Sequence, residues 1–182
     1  RRAIEVLGAG SSTPRDFTLR ESSVARFMTP DGRAVLLSDQ SADPYMTYLQ
    51  RTDGSPPVRL GSGDGYELSP DARWVVAFTG DAPPRIVLHP TGPGESREVP
   101  NERHILFDSI GWFPGGKQLV AFGSTPAERA RGWLINVGDG AARSFTEEGV
   151  SVAWASPVIS PDGARVVAQD PASQWTIYPV DG

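Results

Sequence analysis

The chain has 182 residues, 38% of them hydrophobic, and a formal net charge of −5. That is enough chain for one domain with a substantial core, too apolar for disorder, and short of the concentrated positive charge that nucleic-acid binding draws on. No apolar run approaches the ~20 residues of a helical membrane span, and with no Cys there is neither a disulfide framework nor thiolate chemistry.

The first predicted element is Ala3-Ile4-Glu5-Val6-Leu7, whose alternation reads as a strand. Leu7-Gly8-Ala9-Gly10-Ser11-Ser12-Thr13-Pro14 follows it. A dinucleotide-binding turn would need a third Gly where Thr13 stands, and a helix where Pro14 and the strand-like Phe17-Thr18-Leu19 stand. This stretch is read as a loop, and no cofactor is expected.

From residue 29 onward one signal recurs four times. It reads Thr29-Pro30-Asp31-Gly32, Ser69-Pro70-Asp71-Ala72, Phe113-Pro114-Gly115-Gly116 and Ser160-Pro161-Asp162-Gly163, each leading into an apolar run. The prolines lie 40, 44 and 47 residues apart, a period typical of stacked supersecondary units. The second copy shows the unit in order. Tyr66-Glu67-Leu68 is a short inner strand, Pro70 and Asp71 make the turn, and Trp74-Val75-Val76-Ala77-Phe78 is a strand buried on both faces. Asp81-Ala82-Pro83-Pro84 breaks the chain, Arg85-Ile86-Val87-Leu88-His89 forms a third strand, and Ser96-Arg97-Glu98-Val99 an outer one.

The other copies keep this order. Third strands are predicted at Met46–Leu49, Trp133–Asn136 and Trp175–Tyr178, and outer strands at Val58–Leu60 and Ala142–Phe145. Four-stranded antiparallel units at this period are the blades of a β-propeller. The fold class is therefore all-β, a single domain over 1–182, with four blades at about 22–61, 62–100, 101–146 and 147–182. Either these four close on themselves or they are part of a larger propeller. For closure, Ala3–Leu7 is expected to pair beside Trp175–Val180, within one chain or across a homo-oligomer.

Ser-Pro-Asp-Gly before an apolar run resembles the repeats of TolB-like propellers, relatives of WD-type propellers. Tyr48-Leu49-Gln50-Arg51-Thr52-Asp53-Gly54-Ser55-Pro56-Pro57-Val58-Arg59-Leu60-Gly61 is similar to propeller regions of large bacterial regulatory proteins, beyond their kinase or winged-helix domains. Two copies depart from the pattern. Ala72 and Gly115 stand where Gly and Asp are usual, and Ala72 disfavours a positive φ.

Sites of chemistry are few. His89 and His104 are the only histidines and fall in different elements, which does not make a metal centre. Asp39, Asp43, Asp81 and Asp170 each follow a buried second strand, a recurrence that suits a hard cation but is also ordinary turn chemistry. No Gly-x-Ser-x-Gly elbow is present to place a nucleophile beside His104 and Asp108. Thr125-Pro126-Ala127-Glu128 has capping-box spacing and predicts at most one helical turn. Trp112 and Trp154 sit at the inner-strand level, where an amphipathic ring lines a channel or packs between blades.

Function is expected on loops carried by the rigid scaffold. The loops entering the inner strands hold Arg26, Tyr66, Asp108 and Trp154, a mixture of charge and aromatic surface suited to protein or peptide binding. The leading expectation is a non-catalytic recognition or scaffolding module of a larger bacterial protein. The alternative is an accessory propeller of an enzyme, such as a serine peptidase gate or a kinase-linked sensor.

Overall fold

The structure, a computed structural model, describes residues 3–7, 12–152 and 156–180. Among these every regular element is a β-strand. A short hairpin, β1 (Glu5–Val6) and β2 (Arg15–Asp16), precedes four antiparallel sheets. The first contains β3 (Ser23–Met28), β4 (Ala34–Asp39), β5 (Met46–Arg51) and β6 (Val58–Ser62). The second contains β7 (Asp64–Leu68), β8 (Trp74–Phe78), β9 (Ile86–Pro90) and β10 (Arg97–Val99). The third contains β11 (Leu106–Trp112), β12 (Gln118–Ser124), β13 (Arg131–Asn136) and β14 (Ala142–Ser144). The fourth contains β15 (Val158–Ile159), β16 (Arg165–Gln169) and β17 (Trp175–Pro179). Within each sheet the strands lie side by side in chain order. The architecture is that of β-propeller blades.

The repeated turn is held the same way in every sheet. Gly32, Ala72, Gly116 and Gly163 donate their N–H to the carbonyls of Thr29, Ser69, Phe113 and Ser160. Where Asp is present its carboxylate accepts the N–H two residues on, from Arg33, Arg73 and Ala164. The fourth turn position requires a left-handed backbone, with φ of 66° at Gly32 and 73° at Gly163. Ala72 takes φ 55° there, a conformation its Cβ resists. Its carbonyl is fastened by the Thr91 hydroxyl, 2.8 Å away.

Alternate residues of each second strand face opposite seams, as the pleat dictates. Val75 packs with Leu36 and Leu68 between the first and second sheets, while Val76 joins Ile110, Leu119 and Trp133 between the second and third. Val120 and Phe122 point the other way, to Val150, Val166 and Ala168. The core is therefore a series of seams, each shared by neighbouring sheets. Val75–Ala77 are fully buried as the apolar run predicts, and β4 and β12 are buried over longer stretches.

Two local expectations are corrected. Within the chain, Ala3–Leu7 does not pair with Trp175–Val180; Glu5 and Val6 pair with Asp16 and Arg15. The reason is apolar cover: Ile4, Val6, Phe17 and Leu19 pack on Val35 and Leu37, the face of the first sheet that no preceding sheet covers. Phe17–Leu19 is correspondingly not a strand but the exit from that hairpin, with Phe17 N–H bonded to the Ile4 carbonyl. The segment 125–131, read as holding at most one helical turn, is a loop running into β13. It keeps only the cap, Glu128 N–H donating to Thr125 Oγ1 at 3.1 Å. The glycine stretch at 8–11 lies outside the described residues.

Candidate binding cleft

Three successive inner strands each carry a β-bulge, between Ala25 and Phe27, Gly65 and Glu67, and Phe107 and Ser109. Arg26, Tyr66 and Asp108 are thus the residues that step out of the ladder, a device that re-aims side chains. Arg26 and Tyr66 meet. The guanidinium lies 4.7 Å from the Tyr66 ring centroid, and its Nε donates to Asp64 Oδ1 at 3.1 Å while Nη2 pairs with Oδ2. Gln40 Nε2 adds a further bond to the same carboxylate. On its other side Tyr66 stacks on Phe78 at 4.9 Å. Burial, with the Asp64 charge beside it, pushes the Tyr66 hydroxyl up to about 12.

Arg26 and Tyr66 are consequently interior supports, Tyr66 being only 4% exposed. Asp108 stands open to solvent at the same end, with its carboxyl above the usual range through desolvation by the surrounding protein. Trp154 lies outside the described residues.

Asp39, Asp81, Asp170 and His89 make local structure. Asp39 accepts the Ser41 N–H and faces Arg20, Asp81 pairs with Arg85, and Asp170 accepts the N–H groups of Ala172 and Gln174. His89 is buried between the Ser96 hydroxyl and the Ser62 carbonyl, and desolvation holds its pKa below the ordinary imidazole value. No group of three or more His, Cys, Asp or Glu is placed to hold a metal among the described residues.

The opposite end of the inner strands opens into a cleft of about 720 Å³. All four repeat turns rim it, through Pro30, Pro70, Pro114 and Pro161. Its walls come from the inner strands of all four sheets: Phe27 from β3, Glu67 and Leu68 from β7, Trp112 from β11, Val158 and Ile159 from β15. The size suits a small molecule or a few residues of a peptide. The indole N–H of buried Trp112 has no acceptor among the described residues, a costly omission in a folded interior.

Glu67 is the unusual wall residue. Its Oε2 accepts the Trp112 backbone N–H at 2.8 Å, and it reaches there because Gly111 has no side chain: a Cβ at Gly111 would fall 2.5 Å from that oxygen. That hydrogen bond favours the ionised form, but burial outweighs it and pushes the carboxyl up to about 7. In sequence terms position 67 is a plain inner-strand residue. In the sequence, Trp112, at the inner-strand level beside the turn, is the feature that points toward this end of the strands.

No protein-family model matches the chain, and no curated protein matches it. Solved structures do. The chain superposes on a protein described as TolB from Agrobacterium tumefaciens with a TM-score of 0.72 at 18% identity, covering 99% of this chain and 64% of that one. TolB from Acinetobacter baumannii gives 0.69 at 16%, covering 97% and 49%. The β-propeller domain of the Trilobed protease from Pyrococcus furiosus, described as having an open velcro topology, gives 0.62 at 13%, covering 99% and 62%. The chain thus spans between about half and two thirds of the TolB structures it matches. At these identities the likeness is one of fold, and it agrees with the turn motif and the sheet order: the chain is a module with a TolB-like β-propeller fold.

Proposed function

We propose that the chain is a non-catalytic recognition module that seats a segment of another protein in the cleft bordered by the four repeat turns. One observation carries this reading: four successive sheets each contribute a turn and an inner-strand side chain to the same concave site. A surface assembled from every repeat is rigid, so a bound segment meets it with little ordering cost on the module's side. The wall chemistry fits, being mainly apolar and aromatic with a few polar groups. The loop end, by contrast, spends Arg26, Asp64 and Tyr66 on one another.

The test is selection of a displayed random dodecapeptide library against the chain. The counter-target is a Val158→Trp variant, whose indole fills the cleft from an exposed wall position. Selected peptides should bind the wild-type chain and lose at least tenfold affinity for the variant. Binders indifferent to Val158→Trp would place recognition elsewhere, and a library that yields no binder would oppose the reading altogether.

A further inference from the structure

The described residues lining the cleft include two carboxylates, Asp31 and Glu67, and no Lys, Arg or His. The two are not equivalent. Asp31 is exposed at the rim, accepts the Arg33 N–H at 3.0 Å, and has the Arg33 guanidinium 3.8 Å away. Glu67 is largely enclosed, and among the described residues its one hydrogen-bond donor is the Trp112 backbone N–H. The same strand provides a contrast: Asp64, three residues earlier, has Arg26 from β3 against it. A carboxylate set in an apolar wall without a cation is a site that a cation completes.

We propose that the cleft selects a segment carrying a lysine or arginine among apolar neighbours, with the Glu67 carboxylate as counter-ion to the basic side chain; this rests on the reading of the cleft as the seat of a protein segment. The apolar neighbours of the basic residue cover Phe27, Leu68 and Ile159, while its charge meets Glu67 at the Gly111 gap. A guest cation favours the ionised carboxylate and draws its pKa back down from about 7. Binding therefore releases a proton near neutrality, and the preference for a basic guest weakens as Glu67 is protonated in mild acid. Asp31 is the other titratable group of the lining, and its pKa is already low through the Thr29 and Arg33 hydrogen bonds. Arg26 and Asp64, on the strands packed together here, neutralise each other at the far end.

Two blocked pentapeptides test this, acetyl-Leu-Pro-Lys-Pro-Leu-amide and its norleucine counterpart, titrated into the chain at pH 8 and pH 5.5 by calorimetry. At pH 8 the lysine peptide should bind at least tenfold more tightly than the norleucine peptide. That ratio should shrink at pH 5.5, and it should fall to about one in Glu67→Gln, which keeps an acceptor for the Trp112 N–H. Val158→Lys is the second variant, should the first not fold: an ammonium of its own at the cleft wall should remove the preference. Equal or tighter binding of the norleucine peptide by the wild-type chain overturns the charge assignment while leaving the cleft as a segment's seat. A preference that survives either variant overturns it too, and binding of neither peptide at millimolar concentration overturns both readings.

Discussion

Tyr66 and Glu67 are neighbours in β7 and their side chains meet opposite circumstances. At the loop end of the inner strands, Tyr66 lies between a guanidinium and a phenyl ring, and the guanidinium is itself paired with Asp64. At the turn end, Glu67 is half-buried in a mainly apolar wall with one backbone N–H for company. The first end is finished within the fold, so its polar groups hold the strands in place. The second is left with a charge that nothing in the described chain matches. Arg26 and Tyr66, which look like binding surface in the sequence, are here a brace with Asp64, and the apolar end carries the unmet chemistry.

The contrast is sharpest at Asp64. Asp64→Ala leaves the Arg26 guanidinium without its carboxylate although the side chain is only 17% exposed, and removing one partner of a largely buried pair costs about 3–5 kcal/mol. Urea unfolding should show this loss, and a shift below about 1 kcal/mol would mean that the loop end is not braced by charge.

Glu67→Gln should do the reverse at alkaline pH. The folded carboxyl is pushed up to about 7 from 4.5, so between those values the native state holds a proton that the unfolded chain has released. Wild-type stability therefore falls as pH rises through that window and levels off above it, by about 3 kcal/mol in all. The Gln variant lacks this slope, and at pH 8 it should be the more stable protein by about 2 kcal/mol, allowing for incomplete burial. Denaturant midpoints at pH 5 and pH 8 read this directly. Parallel pH profiles for the two proteins would show that Glu67 is solvated after all. The smallest effect is expected at Tyr66→Phe. The hydroxyl makes no hydrogen bond with the described residues, and the ring does the packing, so the change should stay within about 0.5 kcal/mol.

Legibility followed the range of the interactions. The turns could be read because their chemistry is local: Pro sets one φ, and Asp71 or Asp162 binds an N–H two residues away. The buried run at Val75–Ala77 was equally plain. Bulges at Arg26, Tyr66 and Asp108 left no mark in the residue pattern, although they are what brings Arg26 over Tyr66. The partner of Ala3–Leu7 was not legible, because alternation marks a strand without saying what it pairs with. Arg15–Asp16 is too short and polar to announce itself as that partner. Glu67 became unusual only through Gly111 and Trp112, and the Trp112 N–H that it accepts lies 45 positions further along the chain.

The strand order within each sheet has a kinetic consequence. Every ladder joins consecutive strands, from β1 with β2 through β16 with β17, so each sheet can form by closing short turns before distant parts of the chain meet. The longer-range contacts are mostly seam contacts between one sheet and the next, and an array of this kind propagates order from neighbour to neighbour. Its effective contact order is set by the length of one repeat rather than by that of the chain. A lesion in one sheet should therefore slow or unravel that sheet and the two it touches, while more distant repeats still collapse on schedule.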